Sequence, residues 1–362
     1  MADTREFAPD WASPPGETIT DLLRSRRMSA AELSQQAGAD ANEIVRIIAG
    51  QSRVTVGLAS TLSRIVGASP EFWLARDRRY WEATHRLQSS WLDELPIDDM
   101  LRFGWLPANS SGSADEVLKF FGVPSIRAWR SSYSALLQSV QFRNSPSFDS
   151  HPGAVAAWLR QGEVEAQAIQ CDPWNRDAFV NSLQHIRVLS RLRDPNHFFP
   201  KLRAICAAAG VAVVVVRAPD GCRASGAARF VSESLAVIQL SFRYLTDDHF
   251  WFTFFHEAGH IVLHGSSGLY LEELGTREPA DEVEASRFAV DQLIPSELQA
   301  EFKSLRANTR DVLRFASKAG IAAGIVVGQM QHAGLIPQTH LNRLKRRYQW
   351  ESVISIQPRK GT

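Results

Sequence analysis

Apolar residues at helical spacing dominate the chain. The first set is Ile19, Leu22 and Leu23, followed by Arg24, Arg26 and Arg27, where a helix C-terminus favours positive charge. Ser29 with Glu32 three residues on has the form of a capping box and opens a second helix that stops at Gly38. Asp40 then caps a third helix, with Ile44, Ile47 and Ile48 as its apolar face and Gly50 as its stop. Two short helices joined across a Gly-Ala-Asp turn are the signature of a helix-turn-helix, the second of them placed for a major groove. A fourth helix over about 56–66 and a fifth opened by Ser69-Pro70, carrying Phe72, Trp73, Tyr80 and Trp81, complete a five-helix bundle.

Helical patterning continues from Gln88 to Pro200, broken at 109–113, at 143–152 and at Asp172-Pro173, with no metal-ligand spacing and no phosphate loop inside it. It reads as a connector. Lys201 to Ala209 predicts a helix running into Val211 to Val216, a β-branched run that predicts a strand. Residues 229–231 and 236–240, joined by Ser232-Glu233-Ser234, predict a hairpin. Helices return from Asp247 to Gly265, from Glu278 to Pro295 and from Val326 to Gly334.

The fold class that follows is α+β, mainly helical. At 362 residues and 44% hydrophobic, the chain has enough apolar material for at least one large core, which excludes disorder and disulfide-stapled miniproteins. Forty basic against 39 acidic residues leave a net charge of +1, so binding to nucleic acid must come from a local patch. Residues 1–90 hold eleven arginines, no lysine and eleven acidic residues, which makes the helix-turn-helix a thin reading surface. Its third helix offers Asn42, Val45 and Arg46 outward, with Arg53 just beyond, as candidate DNA contacts. Charge concentrates instead between 339 and 362, where Arg343, Lys345, Arg346, Arg347, Arg359 and Lys360 face Glu351 alone; a solvated helix face is expected there, a phosphate contact being the alternative. Cys171, Cys206 and Cys222 form no CxxC pair, and no signal design or membrane-length apolar run occurs, so the expected location is the cytoplasm, with no membrane partner.

The chemistry lies in His256-Glu257-Ala258-Gly259-His260. On a helix, histidines at i and i+4 project from one face about a turn apart, close enough for both imidazoles to bind one tetrahedral zinc, with Glu257 beside it as a base. Asp247 and Asp248 suit the first turn of that helix, and Phe250, Phe254 and Ile261 continue one apolar stripe. A catalytic zinc needs a third protein ligand. In the 278–295 segment, Glu282 shares its face with Ala285, Ser286, Ala289 and Leu293, whereas Glu284 shares a solvent-like face with Arg287 and Asp291, so face analysis selects Glu282. The same ligand set would also accept Mn²⁺ or Fe²⁺.

Two resemblances extend this reading. Residues 15–74, PGETITDLL to SPEFWL, resemble the XRE-type helix-turn-helix of HigA-like antitoxins, with Ala30 where that family often carries Gln. HEAGHIVLH followed by DEVEASRFAVDQLIP resembles the ImmA/IrrE family of metallo-endopeptidases, whose pattern is HExxH, then ExxA[ND]xFA and Leu-x-Pro. By that resemblance His256, His260 and Glu282 are zinc ligands and Glu257 is the catalytic base. The family's Asn or Asp, a position that supports a ligand histidine, is Ser286 here.

The implied reaction is peptide hydrolysis. Zinc acidifies a water, and Glu257 takes its proton and returns it to the leaving amine. Ala236 to Leu240, just before the HExxH helix, is the expected substrate-pairing strand, and His264, Tyr244, Arg223 and Tyr270 are the candidate oxyanion stabilisers, with a helix-end or core role expected for His264 ahead of a catalytic one. The resulting organisation is a helix-turn-helix bundle at 1–87, a helical connector at 88–200, a small gluzincin-like zinc peptidase domain with a short sheet at 201–337 and a basic tail at 338–362. The resemblance implies regulation of transcription in a bacterial or prophage stress or toxin-antitoxin-type circuit by cutting a repressor-like protein, with operator DNA and an antitoxin or regulator as further partners. The alternative is a regulator whose zinc domain senses or binds without turnover.

Overall fold

The computed structural model describes residues 12–133, 151–265, 269–272 and 280–351, with the backbone alone for 269–272. The chain is mainly helical with one small sheet, and it divides into two compact units, Met1–Asp93 and Glu94–Thr362. None of the described helices is long and apolar enough to cross a membrane.

The first unit holds α1 (Pro15–Ser25), α2 (Ala30–Ala37), α3 (Ala41–Ile48), α4 (Val56–Val66) and α5 (Pro70–Asp93). Local chemistry sets the ends of α2 and α3. The Glu32 amide donates to Ser29 Oγ at 3.2 Å while the Ser29 amide donates to the Glu32 carboxylate at 2.8 Å, and the Asn42 amide donates to Asp40 Oδ1 at 3.0 Å. Ile19, Leu33, Ile44, Ile47, Leu62 and Trp73 are buried together, so α1, α4 and α5 cover the apolar side of the α2–α3 pair. The fifth helix continues beyond Leu87 to Asp93.

The second unit opens with α6 (Ile97–Arg102), α7 (Ala114–Phe121) and a helical stretch at 126–133. Next come α8 (Pro152–Ala166), α9 (Arg176–Leu189) and α10 (Pro195–Ala207), the last with Pro200 inside it and opening ahead of the Lys201 expected as its start. Strands β1 (Val211–Val215), β2 (Gly226–Ser232) and β3 (Leu235–Leu240) follow, then α11 (Asp247–Leu263) and β4 (Leu269–Glu272). The chain continues through α12 (Ala280–Leu293), α13 (Gln299–Lys303), α14 (Thr309–Ala319) and α15 (Ala323–His332).

The sheet order is β1-β3-β2-β4, with β1 parallel to β3 and the other neighbours antiparallel. Strand β3 is therefore interior, paired on both sides, and cannot be the free edge expected for a substrate. A hairpin pattern in sequence does not reveal that β1 fills the outer side of its second strand. Helices cover both sheet faces. Ala228, Ile238, Val213 and Leu240 join the core built by Phe250, Phe254 and Phe255 of α11, whereas Gln239 donates to the Trp158 carbonyl of α8 at 2.7 Å.

Over its described length the basic C-terminal segment is not one solvated helix: Arg343 and Arg347 are exposed, but Lys345 and Arg346 turn inward. It straps the N-terminus of α11. The Arg346 amide donates to Asp247 Oδ1 at 2.9 Å, the Asp247 amide donates to the Arg346 carbonyl at 3.1 Å, and the Tyr348 amide donates to the Leu245 carbonyl at 2.7 Å. Lys345 Nζ lies 2.6 Å from Asp248 Oδ2, and the Arg346 guanidinium donates to the Ser190 and Leu192 carbonyls, both at 2.9 Å. Asp247 and Asp248 are thus buried by the strap rather than exposed at a helix end. The Tyr348 amide meets Leu245 while its ring lies 5.3 Å from that of Phe242, and these two non-glycine residues, with φ of 50° and 53°, form the turn between β3 and α11. Arg359 and Lys360 lie outside the described residues.

Candidate metal centre

Helix α11 is buried over most of its length, so both histidines of the HEAGH sequence enter the unit's interior, His256 and His260 being almost fully covered. Helix α12 crosses it closely because residue 259 has no side chain: a Cβ there would stand 3.1 Å from Ala285 Cα and 3.2 Å from the Phe288 ring. That approach delivers Glu282. Its Oε2 lies 3.1 Å from His256 Nε2 and 3.5 Å from His260 Nε2, and the two Nε2 atoms are 3.1 Å apart.

Three donor atoms at those spacings fit one face of a tetrahedral site. With metal–ligand bonds of roughly 2.0–2.1 Å, neighbouring ligand atoms stand about 3.3 Å apart. Among the described residues, His256, His260 and Glu282 form the group of side chains able to hold a metal ion. Burial works to raise the Glu282 carboxyl, but hydrogen bonds and charge from His256 and His260 outweigh it and hold the group at about 2, ready to ligate as a carboxylate. Burial also lowers His260, favouring the neutral imidazole that a metal needs.

The remaining predicted residues fall around this triad. Ser286 Oγ lies 3.3 Å from His256 Nδ1, behind the ring and away from the convergence point. Glu257 is fully buried, and its carboxylate lies against Gly226 at the start of β2, where a Cβ would come within 2.4 Å of Oε1. Sequence reading missed Gly226; a glycine opening a strand is the signal, since it marks close approach of another group. His264 stands at the helix end as its C-cap and also faces His260, with the two Nδ1 atoms 3.1 Å apart. Glu284, assigned to a solvent face, reaches back to His264 Nε2 at 3.3 Å. The Tyr244 ring packs against His249, centroids 4.3 Å apart and planes tilted by 32°, and the Tyr270 side chain lies outside the described residues.

Residues 208–327 match the family model of the IrrE N-terminal-like domain. The IrrE-like segment thus contains β1 to β3, α11 and α12, together with every member of the triad. It omits α8 and the strap, both of which pack onto it. No curated protein matches the chain. Among solved structures, similarity extends to an addiction module antidote protein of a HigA family from Coxiella burnetii, 28% identical over 20% of this chain and 80% of that one, with a TM-score of 0.19. An antidote protein of a plasmid maintenance system from Nostoc punctiforme is 27% identical over 22% of this chain and 90% of that one, with a TM-score of 0.20.

In the first unit, Asn42, Val45 and Arg46 are all exposed on α3, opposite the buried Ile44 and Ile47. Arg46 Nε donates to Ser52 Oγ at 3.0 Å. Arg53 is engaged by its own unit, its guanidinium 5.3 Å over the Trp81 ring and 3.7 Å from buried Asp77, which also accepts from the Val54 amide at 2.9 Å. Both arginines are thus steered by their own unit, and Arg53 still leaves 60% of its side chain exposed.

Proposed function

We propose that this chain is a zinc endopeptidase fused to an XRE-type helix-turn-helix, which regulates transcription in a bacterial or prophage stress or toxin-antitoxin-type circuit by cutting a repressor-like protein. The carrying observation is the convergence of His256 Nε2, His260 Nε2 and Glu282 Oε2 on one point beside the buried carboxylate of Glu257. Once both imidazoles present Nε2 lone pairs, the three donor atoms face one another at 3.1 to 3.5 Å and a cation is the partner that satisfies all of them.

Zinc bound there would supply Lewis acidity toward a water and a peptide carbonyl. The protein's own residues do the rest. Glu257, fixed against Gly226, accepts a proton at its carboxylate and returns it to the departing amine. Ser286 holds the His256 ring from behind. Substrate pairing moves from β3 to β4, the end strand among the described residues, in which Glu272 lies opposite Gly226, so an extended peptide added on its outer side would run past Glu257. Residues 201–337 serve as the peptidase domain, 88–200 as its connector and 1–87 as the DNA- or regulator-binding module, with Asn42, Val45, Arg46 and Arg53 offered to operator DNA.

The test compares newly formed protein N-termini in cells producing the wild-type chain and the Glu257→Gln chain. A discrete cut in one regulator that disappears in the variant, with zinc bound in both, supports the peptidase. Identical termini with zinc bound in both would instead favour a metal domain that binds its partner without turnover.

A further inference from the structure

The two candidate ligand histidines are backed differently. Behind His256 is the Ser286 hydroxyl, whereas His260 Nδ1 lies 3.1 Å from His264 Nδ1, and His264 Nε2 lies 3.3 Å from Glu284 Oε2 and 4.0 Å from Asp281 Oδ1. The inner contact is dry: the side chains of His260 and His264 are 0% and 8% exposed.

Proton bookkeeping fixes every member of this row. His260 can ligate through Nε2 only if its proton sits on Nδ1, so Nδ1–H must donate. Its neighbour at 3.1 Å is His264 Nδ1, which can accept only when the His264 proton is on Nε2. His264 Nε2–H then points at a group that can only accept, the Glu284 carboxylate. Reversing any one bond puts a proton on the His260 nitrogen that faces Glu282 and abolishes ligation.

We infer that His264, oriented by Glu284, is a positioning residue that locks the tautomer and ring orientation of His260 for metal binding. The inference rests on the metal reading above. It assigns the third histidine of HEAGHIVLH a role other than contact with substrate, and it gives Glu284 the far end of the row instead of an idle place on the surface. The two positions differ in weight. The Glu284 side chain is 64% exposed, where water screens its charge, so most of the effect belongs to His264.

Zinc affinity of the full chain, measured by competition with a chromophoric chelator, tests this without relying on activity. His264→Leu keeps bulk but removes the acceptor, and should weaken zinc binding about 10- to 100-fold. His264→Asn places a carbonyl oxygen where Nδ1 stands and should recover affinity to within about threefold of wild type, and Glu284→Gln should cost only about two- to fivefold. Nitrogen-15 shifts of the histidines in zinc-loaded wild type should show His264 protonated on Nε2 and His260 on Nδ1. Wild-type affinity in His264→Leu, or a His264 proton on Nδ1, overturns the inference while leaving the metal site intact. If His264→Leu does not fold, the tautomers in the wild-type chain decide the question. A wild-type chain that binds no zinc at all removes the metal reading itself.

Discussion

Glu257 can stand where it does because residue 226 has no side chain. A methyl there would overlap both the carboxylate and Thr253, at 2.4 Å from Oε1 and 2.6 Å from Cγ2. Gly226→Ala should therefore cut peptide hydrolysis about a hundredfold by displacing the base, while chelator competition shows zinc affinity close to wild type. Glu282→Ala should lower bound zinc far more than Glu284→Ala, since the first removes one of three donor atoms and the second only the exposed end of the row behind His260. Equal losses would refute that division. The triad was legible because helical periodicity puts residues 256, 260 and 282 on inward faces. The row through His264 was not, because face analysis of α12 considers only that helix's own residues, and on that ground Glu284 belongs with Arg287 and Asp291. Its partner arrives from a different element.

Elements show where sequence reading stopped. Local signals set the caps of α2 and α3, the hairpin of β2 and β3 and the extent of α11. Pairings between distant segments were invisible, among them the insertion of β1 beside β3 and the strap that meets Asp247 and Asp248. The strap carries a testable pH signature. Burial pushes the Asp247 carboxyl up to about 6, the backbone and guanidinium of Arg346 offsetting only part of it and neighbouring Asp248 adding to it. In the unfolded chain the group titrates near the ordinary value of about 3.9. Between about pH 4 and pH 6 the folded state therefore holds the proton more tightly, and this residue's contribution to stability declines as pH rises through that window, by up to about 3 kcal/mol. Asp247→Asn retains an acceptor for the Arg346 amide and should flatten that decline. Urea denaturation of both proteins at pH 4, 5, 6 and 7 isolates the difference, and parallel curves would count against the assignment.

At the scale of the whole molecule, division after Asp93 predicts that residues 94–362 carry the metal chemistry by themselves. Deleting 1–93 should leave zinc stoichiometry and affinity unchanged in the same chelator assay, and a metal-free product would contradict separable units. A peptidase fragment cut at 208–327 should do worse, since it loses α8 beneath Gln239 and the strap above Asp247. The strap also orders events in time. A ribosome delivers His256 well before Lys345 and Arg346, by roughly 5 to 20 s at ordinary elongation rates. During that interval Asp247 and Asp248 lack the basic partners with which they are buried in the finished chain. Helix α11 is thus anchored only after Lys345 and Arg346 have been added, which delays completion of the metal site beyond the synthesis of the helix that carries it.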